Sequence, residues 1–184
     1  MSLQSWQETL VSAQVDGTAL ANSTTATSII PAAARYTLPA NWMAIGRQLR
    51  VCASGRISNI VTTPGTLTLS VRLGAVTVFS GGAVSLNTTA KTNVSWWLEI
   101  LLTCRAIGGS TSANLMGIGD FVSESVLSSP AGLANTALLP ASAPAVGTGF
   151  DSTAAQTIDL FAAFSVANAG NSIQVHQYSV EAMN

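Results

Sequence analysis

Apolar and polar residues alternate along most of this chain with a period of two, the pattern of strands that bury one face. In 66–73, Leu67, Leu69, Val71 and Leu73 share one side and Thr66, Thr68, Ser70 and Arg72 the other. In 48–54, Leu49, Val51 and Ala53 alternate with Gln48, Arg50, Cys52 and Ser54. Residues 157–166 place Ile158, Leu160, Ala162, Phe164 and Val166 opposite Thr157, Asp159 and Ser165. The run 94–105 sets Val94, Trp96, Leu98, Ile100, Leu102 and Cys104 on one face. Its second face mixes Trp97 and Leu101 with Ser95, Glu99, Thr103 and Arg105, which suits a strand covered on both sides.

Thr63-Pro64-Gly65, Gly81-Gly82, Gly108-Gly109 and Ala169-Gly170-Asn171 punctuate these runs as tight connections do. The spacing predicts strands near 25–30, 34–38, 47–60, 66–73, 75–80, 83–87, 92–106, 111–123, 156–167 and 172–182. No 3.6-residue stripe emerges, although 3–14 could form a short helical or irregular arm. The fold class predicted is all-β: an antiparallel β-sandwich or jelly roll, one domain over 25–184 with an N-terminal arm over 1–24. Leu67, Leu69, Val71, Trp96, Leu98, Ile100, Leu160, Phe164 and Val175 are its expected core. Residues 128–150, rich in Ala, Pro and Gly, break the rhythm and read as a long loop suited to contacts with a partner.

Composition changes the picture in one respect. Of 184 residues only 8% are charged, against roughly 25% in an ordinary domain. The formal charge is −1, so there is no basic field for nucleic acid. Mean hydropathy is +0.43, but no apolar run is long enough for a membrane-spanning helix. The opening Met1-Ser2-Leu3-Gln4-Ser5-Trp6 has neither the basic end nor the apolar stretch of a signal peptide. Ser, Thr, Asn and Gln supply most of the polarity. Such groups are cheaper to bury than unpaired charge, which suits lasting contact with other chains. With 48% hydrophobic residues and few charges, a homo-oligomer is expected.

Candidate chemistry is sparse. Catalysis requires convergent titratable groups, and the single histidine, His176, reads as a satisfied structural residue. The eight carboxylates, Glu8, Asp16, Glu99, Asp120, Glu124, Asp151, Asp159 and Glu181, are scattered. Gly117-Ile118-Gly119 sits in a strand-like run, the wrong context for a phosphate loop. Cys52 and Cys104 are expected as buried free thiols, with one disulfide as the alternative. No enzymatic activity, cofactor or metal is therefore expected. Of the tryptophans Trp6, Trp42, Trp96 and Trp97, only Trp97 has the parity to leave the core, as an interface residue or as a stacking platform for carbohydrate.

Several stretches together resemble a known group. They are Ser5-Trp6-Gln7, Gly65-Thr66-Leu67-Thr68-Leu69-Ser70-Val71-Arg72-Leu73-Gly74, Trp96-Trp97-Leu98-Glu99-Ile100 and Thr103-Cys104-Arg105-Ala106-Ile107-Gly108. Thr157-Ile158-Asp159-Leu160 and Ser172-Ile173-Gln174-Val175-His176-Gln177-Tyr178 complete them. The chain resembles tailed-bacteriophage virion proteins with a jelly-roll domain. That resemblance implies a capsid decoration or cement protein, commonly trimeric, made in the host cytoplasm and bound to the major capsid protein on the capsid exterior. Its alternative is a tail or fibre module that recognises host surface carbohydrate. It carries no catalytic residues with it. The contact residues expected are Trp6, Trp97, Leu101, Pro130, Pro140 and Pro144, with the arm ordering when laid across a neighbour.

Overall fold

The computed structural model describes residues 7–127 and 130–183. Its strands are β1 (Gln7–Ser12), β2 (Leu20–Ala21), β3 (Thr27–Ser28), β4 (Tyr36–Leu38), β5 (Gln48–Asn59) and β6 (Thr66–Leu73). They continue as β7 (Val76–Ser85), β8 (Lys91–Ala106), β9 (Asn114–Ser123), β10 (Asn135–Leu139), β11 (Gln156–Phe164) and β12 (Ser172–Met183). Two antiparallel sheets form. One runs β1-β12-β5-β8-β9-β10, with β2 also on β12; the other runs β3-β11-β6-β7, with β4 also on β11. This is the β-sandwich that the alternation predicts; the strand order does not establish the narrower jelly roll.

The core fills the space between the sheets, and parity decides who enters it. All nine expected core residues are buried there, with Leu67, Leu69, Val71, Leu98, Ile100, Leu160 and Val175 wholly inaccessible. Trp96 packs on Phe121 with ring centroids 5.9 Å apart. Close packing also selects small residues: a Cβ on Gly117 would stand 2.2 Å from the Phe79 ring, so the glycine in β9 makes room for an aromatic from the other sheet.

Three segments differ from their sequence reading. Residues 7–12 of the expected arm form β1, paired with β12 from Gln7↔Met183 to Ser12↔Ser179. Leu10, Val11 and Ala13 pack against the core, and β2 adds Leu20. Residues 7–21 of the arm thus lie on their own domain, where they cover an edge that β12 would otherwise leave unpaired. Second, 75–80 and 83–87 are joined as the single strand β7; Gly81-Gly82 is a bulge opposite β6 rather than a turn, and Ala141 N donates to its Gly81 carbonyl. Third, the 128–150 segment contains β10, which extends the first sheet beyond β9.

Both thiols are free. Cys104 is buried on the inner face of β8, whereas Cys52 faces outward on β5, opposite Glu99 and Ser179. Burial pushes each thiol up from its ordinary value, so both stay protonated at neutral pH.

Candidate functional site

The outer face of the larger sheet carries the features that the core does not consume. Register lays out its rows. One row runs Gln177, Ser54, Trp97, Val122 and Thr136 across β12, β5, β8, β9 and β10. The next runs Ser179, Cys52, Glu99, Asp120 and Leu138. A third runs Glu181, Arg50, Leu101 and Ile118.

Two halves with different chemistry result, sharing β8. On the β8-β9-β10 side, Leu101 and Ile118 are cross-strand neighbours, and Ile118 and Leu138 are 52% and 69% exposed. Leu101, Ile118 and Leu138 line a shallow depression of about 240 Å³, with Glu99 and Asp120 beside them. An apolar stripe of this kind on a folded surface is a candidate for contact with another molecule.

On the β1-β12-β5-β8 side a cleft of about 260 Å³ opens beside Trp97. Its lining includes Ser12, Cys52, Ser54, Trp97, Gln177 and Ser179, none of which is charged at neutral pH. Trp97 is 45% exposed. The Ser54 hydroxyl donates to Gln177 Oε1 at 3.0 Å, which fixes the amide and leaves its NH₂ free to donate.

A bulge creates this arrangement. The pairing of β12 with β5 shifts between Val175 and Gln177, so His176 is the extra residue. Val175 and Tyr178 can then both point into the core while Gln177 faces the cleft. His176 is held from two sides: Arg56 Nε donates to Nε2 at 2.8 Å, and Nδ1 lies 2.8 Å from Asp16 Oδ1. That is the satisfied structural role expected of it.

Fixed charges rim the face. Arg50 grips Glu181 at 2.6 Å and reaches Glu99 at 3.9 Å, while Glu181 also accepts from Gln7. Among the described residues no group of three or more His, Cys, Asp or Glu side chains is placed to hold a metal ion.

The expected contact residues are not one cluster. Trp97 and Leu101 share the outer face of β8, one in each half. Pro130 and Pro144 lie exposed. Pro140 lines a separate groove with Thr77, Phe79 and Val146, at the side of the sandwich where β10 approaches β7. Trp6 falls outside the described residues. Of the other tryptophans, Trp96 is buried and Trp42 lies under the Arg47 guanidinium at 4.4 Å. Gln177, Ser54 and Ser179 escaped sequence reasoning because only register brings them to Trp97.

No family model matches the chain, and no curated protein matches it. A solved structure similar to it is the CBM2 module of Lactobacillus casei BL23 phage J-1 evolved Dit. The two are 11% identical with a TM-score of 0.36, the match covering 99% of this chain and 98% of that one. A likeness at that level carries no argument about function.

Proposed function

We propose that this protein is a non-enzymatic structural protein of a phage virion that works by packing the outer face of its larger sheet against copies of itself. In its finer form the reading is a capsid decoration protein, which coats the exterior of the shell as an oligomer, bridges major capsid subunits and stabilises them. The observation that carries self-packing is the stripe of partly buried Leu101 and exposed Ile118 and Leu138 across three adjacent strands. A second copy suits it because Arg50 is already neutralised on its own chain by Glu181 and Glu99, and the formal charge of −1 gives little repulsion between copies. Many weak contacts on a closed lattice then act together.

Sedimentation of the parent and of the double variant Ile118→Lys, Leu138→Lys tests this. The parent should sediment as an oligomer, and the variant as a monomer with an unchanged far-ultraviolet spectrum. A parent that stays monomeric at micromolar concentration removes the self-packing claim. Labelled protein added to particles should coat heads; label confined to tail tips removes the capsid claim. The second reading, a tail or fibre module for host carbohydrate, is favoured by one observation, the half-exposed indole of Trp97 in an uncharged cleft.

A further inference from the structure

We infer that the cleft beside Trp97 is a binding site for a neutral hexopyranose, a site that extends the receptor-binding reading and rests on it for its biological setting. Three independent features of the cleft converge on that ligand class.

The first is the ring. Trp97 presents an indole at 45% exposure on a rigid central strand, and no hydrogen bond from the described residues occupies its N–H. One face of a pyranose is a patch of C–H groups, which packs on an aromatic face while the hydroxyls at its edge stay polar. The second feature is the set of unused polar groups around it. Ser54 takes up Gln177 Oε1, so the amide NH₂ is presented as a pre-oriented donor pair. Ser12 and Ser179 add hydroxyls from β1 and β12 that can both donate and accept. A sugar hydroxyl needs partners of that dual kind.

The third feature is charge. The cleft lining is neutral; Arg50, Glu181 and Glu99 flank it on one side, and Arg56 and Asp16, either side of His176, flank it on the other. Two positive and three negative groups leave that rim negative by one, which opposes uronates and phosphate-bearing glycans. Size agrees with the assignment. At about 260 Å³ the cleft falls just below the roughly 300–1,000 Å³ of sites for drug-sized ligands, so it takes one or two sugar rings.

The bulge supplies the positioning. His176, clamped between Arg56 and Asp16, is held out as the bulged residue, which keeps Gln177 opposite Ser54. His176, Arg56 and Asp16 are positioning residues; Trp97, Gln177, Ser12 and Ser179 would touch the ligand.

The test uses the full chain labelled with nitrogen-15, reading the indole N–H resonance of Trp97, assigned by its disappearance in Trp97→Phe. The probes are methyl β-glucopyranoside, methyl β-galactopyranoside, methyl α-mannopyranoside and methyl β-glucuronide. At least one neutral glycoside should shift the Trp97 signal in a saturable way, with the Trp96 signal unmoved. Isothermal titration should find binding weakened about tenfold in Trp97→Ala, and retained in large part in Trp97→Phe. Gln177→Ala should weaken it less, and Ile118→Lys not at all. The site is overturned if no neutral glycoside moves the signal, if Trp97→Ala binds as tightly as the parent, or if the glucuronide binds as well as the neutral sugars. Attachment of labelled protein to host cells is scored separately. Sugar binding without cell attachment sinks the receptor reading and leaves the site standing.

Discussion

The Ser54 hydroxyl hydrogen-bonds Gln177 Oε1 at 3.0 Å, joining residues 123 apart in sequence on the outer face of the larger sheet. His176 is bulged out of β12 just before that contact, which keeps Gln177 opposite Ser54. Deleting His176 should be tolerated: it makes Val175 and Gln177 consecutive opposite Gly55 and Ser54, so Tyr178, Val180 and Ala182 keep their parity and stay inside. His176→Ala keeps the bulge and should cost less than about 1 kcal/mol, because its partner Asp16 is largely exposed. Denaturant unfolding of both variants checks this. A deletion variant far less stable than the parent would show that β12 needs the bulge for more than its register.

Gly117 owes its place to a neighbour and not to its backbone, whose φ is ordinary. A Cβ there would meet the Phe79 ring at 2.2 Å and Leu102 at 2.9 Å. Gly117→Ala should therefore destabilise by about 1–3 kcal/mol, as overpacking does. In a Phe79→Leu background that penalty should shrink, since the shorter side chain frees the space. A double-mutant cycle in urea reads the coupling directly. Equal penalties in both backgrounds would mean that the ring is not the obstacle.

A pH dependence follows from Lys91, whose side chain is 6% exposed and meets Glu124 Oε1 at 2.5 Å. The Lys91 hydrogen bond, with help from the Gly132 amide, holds the Glu124 carboxyl below its ordinary value. The folded state therefore binds this proton less readily than the unfolded chain. Stability from the pair is complete above the unfolded value of 4.5 and is lost as pH falls through the lower folded value. Glu124→Gln strands a buried ammonium at neutral pH and should lower the melting temperature there. Below pH 4.5 the gap between parent and variant should narrow as the parent loses the same charge. A constant gap from neutral to acid pH would show that the pair does not titrate with folding.

Parity carried most of the fold into the sequence. Leu67, Leu69 and Val71, or Trp96, Leu98 and Ile100, announce a buried face because each strand is regular and long. β1 gives no such signal: Gln7-Glu8-Thr9-Leu10-Val11-Ser12 has no alternation, and only its pairing with β12 makes it a strand. β10 is hidden in the same way, a five-residue strand inside an Ala- and Pro-rich stretch. The site was legible in part. Trp97 could be assigned outward by counting from Trp96, and Leu101 by counting four further. Gln177 could not, because the bulge at His176 inverts the count just before it. Ser12, Ser54 and Ser179 meet only through long-range register, which no local pattern encodes. The prolines Pro130, Pro140 and Pro144 flank β10 instead of lying in one continuous loop, and nothing in their spacing announced the strand between them.

Truncating residues 1–12 separates a free arm from a built-in strand. A free arm can be removed without loss to the domain, and such a variant would melt with the parent and fail only to dock. In the structure β1 covers the edge of β12, Gln7 reaches Glu181, and Leu10 and Val11 pack on the core. Partial burial of those two side chains, with a compact unfolded state taken into account, puts the loss at about 2–4 kcal/mol. The exposed β12 edge then offers unpaired N–H and C=O groups beside Glu181 and Met183 to another chain. Truncated protein should melt well below the parent and associate as concentration rises, even when Ile118→Lys and Leu138→Lys have disabled the outer stripe. Thermal unfolding paired with sedimentation distinguishes the cases. An unchanged melting temperature would establish that the first twelve residues do act as an independent arm.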